Sequence, residues 1–211
     1  MPVILEPRAV TGQDVVDRLR PTPEQRITLI FVGAYALAIL ILWHLPILKI
    51  ILYPFKLLTV SLHEFSHAAA GCCTGATIES VEIDPDEGGV TRMRGGFSCC
   101  TLPAGYLGSS LIGAILIFCG FDDTDNRIVL KGAGLKYFVL FVGVMSCLYS
   151  LWDIMDDLVF RKVNESDASK FAKQCKCCPS QIWGFIWLII SLIFLGIGVL
   201  AGLAVFKQNN G

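Results

Sequence analysis

Apolar residues in this chain gather into long unbroken runs, with no regular alternation between apolar and polar positions. The runs 27–45, 47–70, 102–120, 135–152 and 182–206 each come close to the roughly 20 helical residues that a bilayer's hydrocarbon core demands. The pattern predicts an all-α multi-pass membrane protein of about five transmembrane helices, the first two joined tightly around Pro46 as a helical hairpin. Residues 71–100 break the pattern. Val81 and Ile83 alternate with polar neighbours, Asp84-Pro85-Asp86-Glu87-Gly88-Gly89 has turn chemistry, and Val90 to Met93 can return, so a small β-hairpin is expected there. The chain then divides into a polar tail at 1–26, a membrane-embedded domain at 27–206 and a short tail at 207–211.

Composition agrees with the pattern. Hydrophobic residues make up 54% of the chain and charged residues 17%, against about 25% charged in soluble domains; the mean hydropathy is +0.64. A formal charge of −1 leaves no basic stripe for phosphates, which argues against a nucleic-acid partner. No cleavable leader is expected, because no apolar core precedes Ile27, and the first run should act as its own insertion signal. With five crossings and a cytosolic N-terminus, the arginines of the tail, Arg92 and Arg94 of the hairpin, and the cations from Arg161 to Lys176 share one side. That excess favours an N-terminus and a hairpin both facing the cytosol. Arg127, Lys131 and Lys136 fall on the other side.

The chemistry is concentrated in His63-Glu64-Phe65-Ser66-His67, inside the second apolar run. Histidines four residues apart project from one helix face, so both imidazoles can reach one ion. A glutamate beside the first is the usual general base toward water acidified by a bound zinc. Ionisable groups within an apolar span are costly, and are usually paired, metal-bound or functional. Short motifs do arise by accident, but two of the chain's 3 histidines lie in this one. The remaining one, His44, follows Trp43 at the end of a run and fits a membrane interface.

A catalytic zinc takes three protein ligands and one open position. On the five-crossing layout, Asp153 sits on the fourth run at nearly the depth of His63 on the second. Asp153, Asp156 and Asp157 share a helix face. Asp157 has an alternative partner in Arg161, and Asp153 is the deepest. The expected ligands are therefore His63, His67 and Asp153, with Glu64 as base and Asp156 as alternative third ligand or supporting partner.

Three features together resemble the site-2-protease type of intramembrane zinc metalloprotease. These are the His63–His67 motif in a membrane helix, the Pro103-Ala104-Gly105-Tyr106-Leu107-Gly108-Ser109 run opening the next helix, and an Asp-bearing later helix. The segments 84–89 and 152–168 are similar to those of a compact fungal branch of that superfamily. The resemblance implies one zinc ion, with His63 and His67 as ligands and Glu64 as base, cleaving a membrane-protein substrate within or beside the bilayer. The Asn-Pro-x-x-x-Asp-Gly pattern of better-known members is absent. A scaffold or adaptor that kept the fold without catalysis is the competing expectation.

Other segments have plainer readings. Gly105, Ser109 and Gly113 recur every four residues and predict a smooth face for close helix packing. Cys119 and Cys147 are expected in the core. Cys72, Cys73, Cys99, Cys100, Cys175, Cys177 and Cys178 lie beside the apolar runs, where palmitoylation is the expected modification. Asn164-Glu165-Ser166 is a formal glycosylation sequon that would report on sidedness, and Ser166 or Asp167 is expected to cap a helix over 168–173.

Overall fold

Thr22 opens the first long helix. Its hydroxyl accepts from the Gln25 backbone N–H, and the Gln25 side chain in turn accepts from the Thr22 backbone N–H, closing a capping box that satisfies donors a helix start leaves orphaned. The computed structural model describes residues 12–45, 48–84, 88–122, 131–159 and 166–206. Its elements in order are α1 (Gly12–Leu19), α2 (Pro23–His44), α3 (Lys49–Cys73), β1 (Thr77–Asp84), β2 (Gly88–Arg94), α4 (Ser98–Cys119), α5 (Lys131–Val159), α6 (Asp167–Cys175) and α7 (Ser180–Val205). The protein is thus an all-α multi-pass membrane protein carrying one small antiparallel hairpin.

Side-chain pairings fix the direction of each helix. Ser109 meets Ser150, Gly113 faces Cys147 and Gly120 faces Leu140, so α4 and α5 are antiparallel. Ser110 meets Ser191 and Gly202 faces Phe121, so α7 runs parallel to α4. Phe31 packs on Tyr137, Tyr35 on Phe141 and Trp43 on Tyr149, so α2 runs parallel to α5. α2 therefore begins at the end where α7 finishes, and the Gln25 side chain donates to the Leu203 carbonyl there at 3.1 Å. It ends where α4 begins. α3 also finishes at that second end, with His67 against the Thr101 carbonyl, while Phe55 early in it packs on Phe138 and Phe141 nearer the first.

Among the described residues four helical stretches are long and apolar enough to span a membrane: Pro23–His44, Ser98–Cys119, Gly134–Met155 and Ser180–Val205. The further apolar run expected to cross is α3, whose apolar character is interrupted by Lys56, His63, Glu64 and His67. The antiparallel pairing of the first two runs gives way to this arrangement. It also puts the hairpin and the start of α2 at opposite ends of the bundle.

The bundle is sealed by small residues. A β-carbon on Gly113 or Gly143 would press into the other helix's backbone, and Ser109, Ser146 and Ser150 bridge α4 to α5 with buried hydroxyls. This is packing by close backbone approach and interhelical hydrogen bonds, which a lipid environment favours. Leu140, Val144, Met145, Ile117 and Phe121 form the apolar centre. Cys147 is buried as expected; Cys119 is exposed on α4, facing away from the helices that cover Ile117.

Candidate metal centre

α3 places His63, Glu64 and His67 on its buried side while Phe65 between them is exposed. His67 is oriented from behind, its Nδ1 standing 2.7 Å from the Thr101 carbonyl oxygen in the first turn of α4. A carbonyl can only accept, so Nδ1 carries the proton, and Nε2 of a neutral His67 presents a lone pair. His63 is held edge-on against the Tyr106 ring, 4.8 Å between centroids.

The third group comes from α6. Ser166 caps that helix through its hydroxyl, which accepts from Ser169 N–H, and Asp167 is the first helical residue. Asp167 Oδ2 lies 3.1 Å from His63 Nε2 and 2.9 Å from His67 Nε2, and the two nitrogens stand 3.1 Å apart. Among the described residues this is the one set of three such groups close enough to hold an ion together. Burial acts to raise the Asp167 carboxyl; the hydrogen bonds of His63 and His67 outweigh it and hold the group well below the usual carboxylate range.

The trio fits zinc on two observations. Donors at about 2.0–2.2 Å from a tetrahedral ion stand about 3.3–3.5 Å from one another, and the separations here fall only a few tenths of an ångström short. Second, a β-carbon on Gly105 would overlap both His63 Nε2 and His67 Nε2, so the missing side chain leaves a space against the two ligand nitrogens.

Glu64 occupies the neighbouring wall. Thr91 of β2 donates from Oγ1 to Glu64 Oε2 at 2.6 Å. A cavity of about 380 Å³ opens over these groups, lined among others by His63, Glu64, His67, Gly89, Thr91, Tyr149, Asp153 and Asp167.

Asp153, expected as third ligand, lines this cavity but is not part of the converging group; Asp167 takes that place. Matching depths did put Asp153 beside the same cavity, but its carboxylate is not the one that meets the two imidazoles. α6 folds back over the site instead, seating Ala168 and Phe171 on Tyr106, Ile154 and Trp187. The Asp156 side chain lies outside the described residues, as do Asn164 and Glu165 of the sequon. The motif named His63, Glu64 and His67. Asp167 lay within the 152–168 segment and read only as a cap, Gly105 read only as packing, and the carbonyl of Thr101 has no side-chain signal.

A family model described as Peptidase M50B-like matches residues 32–135 and 128–198. No curated protein and no solved structure matches the chain significantly.

Proposed function

The chain belongs to the Peptidase M50B-like family, and from that membership together with the site geometry we propose that it is an intramembrane zinc metalloendopeptidase, cleaving a membrane-protein substrate within or beside the bilayer. The observation that carries this reading is the convergence of His63, His67 and Asp167 beside Glu64 in one cavity. His63 and His67 through Nε2, and Asp167 through Oδ2, are the atoms that would hold zinc. Bound there, the ion supplies Lewis acidity, which lowers the pKa of water toward about 7 and polarises a carbonyl.

The chain's own groups do the rest. Glu64 takes the proton of the attacking water at its carboxylate and hands it to the leaving amine, a role worth roughly 10²–10⁴ in rate. The Thr101 carbonyl keeps His67 in the ligating tautomer, a support whose loss typically costs about 10–100-fold in metal affinity. Gly88, Gly89, Val90 and Thr91 line the cavity, so an unwound substrate segment entering it would lie alongside β2. Cys72, Cys73, Cys100 and Cys177 are exposed and are the candidates for S-acylation.

The test is Glu64→Gln in the purified full chain in detergent, with zinc per chain and cleavage of fluorogenic casein as readouts. Zinc should stay near one per chain while cleavage drops at least about 100-fold. Cleavage at the wild-type rate rules the assignment out, and zinc-loaded wild-type protein without cleavage favours a silent scaffold.

A further inference from the structure

Both strands of the hairpin pack on α3, β1 through Ile78 beside Gly71 and β2 through one face. Along β2, positions 89, 91 and 93 are the more buried and 90, 92 and 94 the exposed ones, the period-two pattern of a strand covered on one side. Each inward position meets α3. A β-carbon on Gly71 would press on Met93, a β-carbon on Gly89 would overlap the Glu64 side chain, and Thr91 lies between them with its hydroxyl on Glu64. Thr91 Oγ1 is 2.6 Å from Glu64 Oε2 and 3.2 Å from the Glu64 backbone carbonyl. The hydroxyl has one proton, and the shorter bond to the carboxylate takes it.

We propose that Thr91 is the positioning residue for Glu64, and that strand β2, docked in this register, is the arm that aims the carboxylate into the cavity. Gly89 is part of the device, because its bare backbone lets the strand approach the glutamate closely enough for Thr91 to reach. A slip by one residue would turn Val90 and Arg92 inward and lose both contacts. Opposite the site the hairpin is tied by Arg92 to Glu82 and by Arg94 to Glu79, the latter at 2.7 Å. These pairs and the irregular step between Ile78 and Ser80 belong to the register that sets Thr91. The inference rests on Glu64 acting as the base.

The experiment is a double-mutant cycle on the zinc-loaded full chain, using acetohydroxamic acid as probe, since this zinc chelator gives its proton to a carboxylate beside the ion. Thr91→Val should keep zinc near one per chain and weaken hydroxamate binding about 10-fold, but less than about twofold in a Glu64→Gln background. Thr91→Ser should restore binding to within about threefold. If Thr91→Val does not retain zinc, Thr91→Ala takes its place in the cycle. On casein, Thr91→Val should lower kcat about 10-fold with KM within about twofold. Equal weakening with and without Glu64, or a Thr91→Ser variant as weak as Thr91→Val, overturns the proposal. Coupled hydroxamate binding with no casein cleavage by the wild type supports the positioning role and removes the peptidase reading alone.

Discussion

Asp167 and Asp153 differ in a way a single substitution exposes. Both line the cavity, but only Asp167 places an oxygen against both imidazoles. Asp167→Asn is expected to weaken zinc binding at least about 10-fold in chelator competition, and Asp153→Asn to leave it within about twofold; the reverse order would move the ligand to α5. Gly105→Ala fills the space against the ligand nitrogens and should bring zinc per chain close to zero in protein that still runs as a folded species on gel filtration. The sequence told these residues apart only in part. Two histidines and a glutamate in an apolar helix have few innocent explanations. An aspartate following a serine at a helix start has a very common one, since caps and first-turn acids are favoured everywhere.

At the scale of elements, α6 decides whether the third ligand is in place. Nine residues are too few for a helix to hold itself in water, so α6 depends on its Ser166 cap and on Phe171, whose ring meets Trp183 at 4.6 Å and Trp187 at 5.5 Å. Phe171→Ala removes an anchor worth about 3–5 kcal/mol when fully buried. Zinc affinity should fall with it although every ligand is intact, and chelator competition would show the drop; unchanged affinity would mean that the histidines alone set the position of Asp167. The hairpin was legible because alternation and turn residues are local signals, and the structure runs β1 and β2 from Thr77 to Arg94 around that turn. The docking of α6 was not, because it buries only Ala168 and Phe171 fully and its partners come from α4, α5 and α7.

For the whole molecule, the decisive number is how many times the chain crosses. Runs of apolar residues report length and composition, and on those terms 47–70 looked like a span. Its direction is a tertiary fact. With α2 parallel to α5, and α4 and α7 antiparallel to both, the last of the four apolar helices finishes at the end of the bundle where α2 begins. The start of α2 and the end of α7 then share one face, and the metal centre, hairpin and α6 occupy the other. Lys131 and Lys136, which sat awkwardly in a five-crossing layout, begin α5 at the terminal end with Arg18, Arg20 and Arg26, while Arg92, Arg94, Lys170, Lys173 and Lys176 stay with the site. Cations thus spread over both faces, and the positive-inside rule loses the excess it needs to choose between them. Glycosylation acceptor tags at the two termini and within the hairpin turn separate the layouts. The terminal tags should behave alike and the hairpin tag oppositely, with Asn164 modified only when the hairpin tag is. A hairpin tag that follows the N-terminal tag would restore α3 as a full crossing and the five-crossing layout with it.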